Sequence, residues 1–478
     1  MFLPLTLIFY YGLARIFNAN VAKYFLIFAS LGFYSYWDIK NVPVLLVSIL
    51  VNYVIAHFLE KKRKKLLLAL GVVFNIIYLG YFKYTDFIIS NIDVLLSMNI
   101  PLHHITLPLG ISFFTFTQTA YLVDVYRGET KEYSKSDYLL FVTIFPHLIA
   151  GPILYHKDMI PQFSKLDNYK INYKNLYNGI LWFIIGMFKK VIIADKLAVY
   201  ANNAFNNVDK LTMLDAWGGS LAYTLQLYFD FCGYSEMAIG LGLMLNYNLP
   251  LNFNLPYRAC SIIDFWRRWH ISLSSWLRDY LYIPLGGNRH GKIRKYINIM
   301  VTFLISGLWH GASWNYVIWG GLHGIYQVIG EMTNPLRGKI QNILKINTTC
   351  DSYRLWQIGS TFFLTTFAWI FFRADSLKDA LYYISRMVTK WNPWVMFDGG
   401  IYELGLNQVE WQIFIIAVVV LLMVDLVRYR RGKRIDIYLA EQNIVFRYVI
   451  LLLLCLAIFV WGEYGLDFAE NQFIYFQF

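Results

Sequence analysis

One histidine, His310, sits in the string GLWHGASWN, inside a run from Val301 to Ile325 that is otherwise nearly free of charge. An ionisable side chain in such a run is costly and is retained where it is used. Imidazole, with an ordinary pKa of about 6.5, takes and returns a proton near neutrality, so general acid–base chemistry is what this residue type suits. The plain alternative is a ring that hydrogen-bonds a neighbouring helix. Gly307 and Gly311 bracket His310, and Gly320 and Gly324 repeat the spacing, which lets a helix or a thin ligand approach the backbone closely. On a continuous helix Ser306, Ser313 and Trp314 share the face of His310, Asn315 points away, and His323 falls nearly opposite. His270, forty residues earlier, is therefore the better partner, the plain alternative being an interfacial histidine that wets one side of an aromatic stripe.

His270 lies in the stretch Ser261–Asn288. Ser261 with Asp264 is a capping-box start, and Trp266, Trp269, Leu273, Trp276 and Tyr280 recur at helical spacing as an aromatic stripe. Such a helix lies at the bilayer interface or dips into the bundle. The chain ends in FIYFQF, where Tyr475 is the one nucleophilic side chain. The tail reads either as an aromatic plug at the interface or as a tethered acyl acceptor, because a phenol is acylated once a base takes its proton. Cys232, Cys260, Cys350 and Cys455 are scattered and form no CxxC pair, no HExxH spacing occurs, and no metal is expected.

The elements that must hold these residues are membrane helices. Only 15% of the 478 residues are charged, while 58% are hydrophobic and 19% aromatic, which excludes a water-soluble protein. The net charge of +12 falls between apolar runs and forms no groove-like patch, so nucleic-acid binding is excluded too. Apolar stretches from Leu3–Phe17 to Val445–Trp461 predict an all-α, polytopic fold of about eleven spans with additional re-entrant or interfacial helices. Tyr138–Leu154, Leu176–Ala194, Leu214–Phe231, Met237–Leu249, Tyr296–Leu308 and Trp314–Ile329 are among these stretches. The apolar N-terminus reads as a retained segment. The runs Lys61–Lys65 and Arg428–Arg434 belong in the cytoplasm, which sends Val445–Trp461 outward and the C-terminus to the far side. No internal repeat is visible.

The strings DFWRRWHISLSSWLRDYLYIPLGGNR and GLWHGASWNYVIWGGLHG resemble the membrane-bound O-acyltransferases, and in particular their bacterial alginate and peptidoglycan O-acetylation branch. GISFFTFTQTAYLVDVYRG, FKKVIIADKL, FDFCGYSEMAIGLG and FRADS extend the likeness from about residue 107 to 376, and FIYFQF, at the end of the C-terminal segment 411–478, also fits the branch. Cys232 and Glu236 depart from the expected Ser and Asp. The resemblance implies one integral-membrane domain over residues 1–478, helices in a ring around a central funnel, His310 as catalytic histidine, His270 as second active-site histidine, and Tyr475 as an acyl way-station.

It further implies an acetyltransferase of a bacterial cytoplasmic membrane. No bound cofactor is expected; acetyl-CoA or an acyl carrier thioester is the donor. The acceptor is an exported or wall polysaccharide, reached through an extracytoplasmic, SGNH-hydrolase-like partner. In that reading Trp309, Trp314, Ser306 and Ser313 shape a dry channel, and the basic residues Arg289, Lys292, Arg294 and Lys295 face the anionic donor. The competing class is a transporter that uses the intramembrane histidines as a proton relay, which the absent repeats and scarce midspan acids and arginines oppose.

Overall fold

Apolar runs with few prolines close their own backbone hydrogen bonds, so they fold as helices wherever water is scarce. The computed structural model describes residues 1–130, 133–149, 151–432, 435–462 and 473–474, and among these every regular element is helical. They form two compact units, Met1–Phe183 with Ser235–Leu251, and Ile184–Tyr234 with Asn252–Phe478.

The first unit contains α1 (Phe2–Ile16), α2 (Ala19–Trp37), α3 (Asn41–Lys61), α4 (Lys65–Leu96), α5 (Ile111–Arg127), α6 (Lys135–Thr143) and α7 (His156–Phe163). Several of its buried polar groups pair with each other: Asn52 and Asn75 bond reciprocally at 3.0 and 2.7 Å, and Gln118 links Ser48 to Tyr138. The stretch Tyr138–Leu154 is not one span. Pro146 has no N–H for the carbonyl of Val142, and α6 stops at Thr143.

Two long helices contribute residues to both units, α8 (Tyr173–Asn206) and α9 (Met213–Met244). The stretch Leu214–Phe231 and the part of Met237–Leu249 up to Met244 thus belong to a single helix. Its internal glycines mark close crossings. A Cβ on Gly233 would lie 2.6 Å from the Gly186 carbonyl, and one on Gly240 2.5 Å from that of Gly179. Within α8, Lys189–Ala194 is π-helical.

The second unit continues with α10 (Ile262–Trp266), α11 (Ile271–Leu277), α12 (Gly291–His310), α13 (Trp314–Met332), α14 (Asn334–Ile343), α15 (Asp351–Arg373), α16 (Leu377–Arg386), α17 (Gln408–Arg431) and α18 (Ile444–Trp461). Helices α12 and α13 form a tight hairpin. A Cβ on Gly307 would overlap the Tyr316 carbonyl, and one on Gly320 the Phe303 carbonyl. The spaced glycines therefore serve helix contact. Among the described residues, five helices are long and apolar enough to cross a membrane: α3, α4, α8, α15 and α18. Phe2–Ile16 and Gln408–Val424 are shorter apolar helices. Large apolar side chains such as Ile76, Ile77, Leu452 and Phe459 are exposed, as suits contact with lipid.

Candidate active site

All described site residues belong to the second unit. His310 is the last residue of α12, since Gly311 adopts an extended backbone and ends the helix. Ser313 caps α13, and Trp314 is 56% exposed. The face shared by Ser306, His310, Ser313 and Trp314 on a continuous helix does not exist. Ser306, one turn before His310, is buried, and its hydroxyl has no hydrogen-bond partner among the described residues.

His270 is also fully buried. Ser261 caps α10 by accepting from the Asp264 N–H at 3.1 Å, as the capping box predicts. The aromatic stripe is not one helix, however. The chain leaves α10 after Trp266 and turns through His270, at φ 43° and ψ 56°, before α11 begins. Trp266, Trp269, Leu273 and Trp276 are all buried, so this segment packs inward.

Trp309 meets both histidines. Its ring centroid is 6.2 Å from that of His270 and 4.9 Å from that of His310. His310 also meets Trp319 at 5.0 Å and Phe372 at 5.3 Å. Contrary to the placement on an opposite face, His323 joins the same cluster, 5.1 Å from Trp319, because the hairpin folds α13 back along α12. The indole N–H of Trp266 donates to His323 Nδ1 at 3.2 Å. An indole only donates, so Nδ1 is the acceptor in this contact. The result is a pair of buried imidazoles walled by aromatic rings, a setting that excludes water and strengthens electrostatic interactions.

Two features escaped the sequence reading. Lys190, in the π-helical part of α8, bridges Asp195 at 2.7 Å and Asp230 of α9 at 2.8 Å. Asp230 also accepts the backbone N–H of Ile474 at 2.8 Å, while Phe473 stacks on Tyr234 at 4.3 Å. Phe231, next to Asp230, meets the His270 ring edge-on at 4.7 Å. The described part of the tail is thus seated beside a neighbour of His270; Tyr475 lies outside the described residues. The signal was the pair of charged strings around Lys190 and Asp230, but nothing in their spacing joins them. The basic residues are remote: Lys292 and His310 are separated by about 27 Å of helix rise along α12. Arg289, Lys292 and Arg294 are exposed, and Lys295 pairs with Glu331 at 2.6 Å. No cluster of three potential metal ligands occurs among the described residues.

The model of the membrane-bound O-acyltransferase family matches residues 34–373, and the chain belongs to that family. It is an acyltransferase and a multi-pass membrane protein. A peptidoglycan O-acetyltransferase of Helicobacter pylori is 43% identical over 417 residues, covering 81% of this chain and 78% of that protein. A protein of Pseudomonas syringae pv. tomato named "Probable alginate O-acetylase AlgI" is 42% identical over 394 residues, 80% of this chain and 72% of its own. A teichoic acid D-alanyltransferase of Bacillus subtilis is 32% identical over 238 residues, 47% of this chain and 59% of that one.

Proposed function

We propose that this acyltransferase passes an acetyl group from a cytoplasmic thioester, acetyl-CoA or an acyl carrier protein, across a bacterial cytoplasmic membrane for O-acetylation of an exported or wall polysaccharide. The observation that carries the reading is the pair of buried histidines that both meet Trp309, in an aromatic setting. His310 removes the proton from an acceptor hydroxyl, that of Tyr475, whose oxygen attacks the thioester carbonyl. The oxygen–carbon bond forms, the carbon–sulfur bond breaks, and the thiolate leaves with the proton that His310 returns. His270 steadies the developing oxyanion, while Trp309 and the buried Ser306 line the path. An SGNH-hydrolase-like partner on the far side then moves the acetyl group to sugar hydroxyls.

The exposed Arg289, Lys292 and Arg294 would hold the donor's anionic part. Their position at the N-terminal end of α12, where the helix dipole is already positive, favours an anion. The length of α12 then requires a donor with a long thioester arm. In proteoliposomes given acetyl-CoA, the protein is expected to release free thiol one-for-one with acetyl groups appearing on acceptor. Solute movement with no thiol released would instead make it a transporter.

A further inference from the structure

His270 occupies the left-handed backbone region, which a residue with a side chain seldom adopts and which persists only where the surroundings over-determine it. The surroundings here are the segment Asn252–Asn254. The carbonyl of Asn252 accepts the Ile271 N–H at 3.0 Å, and Asn254 N–H donates to the Arg268 carbonyl at 2.9 Å. The side chain of Asn252 adds two more bonds, its Oδ1 accepting the Ser272 N–H at 3.2 Å and the Ser272 hydroxyl at 2.6 Å. Both flanks of His270 are therefore tied to one neighbouring strand of chain. Because a backbone N–H can only donate, the Asn252 amide is fixed with its oxygen toward Ser272. Its Nδ2 is buried and has no hydrogen-bond partner among the described residues. Phe253, between the two asparagines, packs on Phe231 at 5.0 Å and Trp269 at 5.1 Å, and Phe231 in turn touches His270.

The left-handed histidine is thus followed directly by two residues bonded to an asparagine whose amide nitrogen is buried and unsatisfied. Departures of this kind concentrate at functional sites. We propose that Asn252 is a positioning residue for acyl transfer: it locks the His270 backbone in the left-handed form, so that the imidazole is held against Phe231 and Trp309. The proposal rests on the reading that His270 serves the reaction.

The test compares Asn252→Ala and Asn252→Asp in the full-length, reconstituted protein. Asp keeps an oxygen acceptor for both Ser272 donors, whereas Ala removes it. Thiol release from acetyl-CoA should fall roughly 10- to 100-fold in kcat for Ala with KM held within about twofold, because a displaced catalytic group costs rate and not donor binding. Asp should recover most of that loss. In a His270→Ala background, Asn252→Ala should cost nothing further. Diethyl pyrocarbonate labelling of His270, read by mass spectrometry, should rise in the Ala variant and not in the Asp variant, whatever the activity does. Unchanged kcat in Asn252→Ala, a loss that adds to that of His270→Ala, or labelling unaltered in Asn252→Ala would overturn the proposal. If His270→Ala itself keeps full activity, the role given to His270 fails, and the labelling still decides whether Asn252 holds it.

Discussion

At the scale of single residues, the proposed chemistry depends on groups that bury polarity in an apolar site. His310 is legible in the sequence because an ionisable ring in an apolar run costs free energy and so stands out from its neighbours, whereas His270, beside Arg267 and Arg268, is legible only as the partner that a loop could bring near. His323 is misplaced there for a geometric reason. Helical phase carried across Gly311, where the chain stops being helical, puts a residue that shares Trp319 with His310 on the far side. The seat of the tail is not legible at all, since Lys190, Asp230 and Ile474 are far apart in sequence. If that seat presents the acceptor tyrosine, Tyr475→Phe should abolish detectable transfer while leaving the purified protein as stable as the parent. Asp230→Asn should slow transfer and also lower stability by about 1–3 kcal/mol, because it weakens a buried network without leaving Lys190 unpaired. Matched acetylation assays and thermal unfolding in detergent check both.

Elements obey sterics more than composition. The capping box at Ser261 marks a true helix start, because a side-chain cap is a local interaction that the sequence contains in full. The stripe from Trp266 to Tyr280 reads as continuous because periodicity records burial and does not record the turn at His270, which depends on bonds from Asn252. Conversely, Leu214–Phe231 and Met237–Leu249 read as two stretches, yet α9 runs on from the first into the second, and its glycines are where α8 approaches. The same steric rule separates two adjacent glycines of α13. A methyl group on Gly320 would overlap the Phe303 carbonyl, whereas one on Gly321 meets only the Leu304 side chain at 3.5 Å. Gly320→Ala should therefore destabilise the hairpin by about 1–3 kcal/mol. Gly321→Ala should be neutral or stabilising, by up to about 1 kcal/mol, through helix propensity. Thermal unfolding of the two variants side by side reads the difference.

At the scale of the whole molecule, composition alone separates a membrane protein from a soluble one, and the all-helical structure follows from the same scarcity of charge. The expected number of spans, about eleven, comes from apolar length. Among the described residues, five helices meet a strict criterion of length and composition; the stretch Tyr138–Leu154 is broken at Pro146, and Leu214–Phe231 shares one helix with the start of Met237–Leu249. The basic residues at Arg289–Lys295 and the histidine His310 occupy opposite ends of α12, so one helix connects the proposed donor site to the proposed chemistry. The central claim is that the acetyl group passes through the site of His310. The most direct measurement is polysaccharide O-acetylation in cells whose only copy is His310→Ala, at membrane levels equal to the parent. Acetylation reduced roughly 100-fold or more is the predicted result, as for removal of a general base. Acetylation at the parental level would contradict the claim.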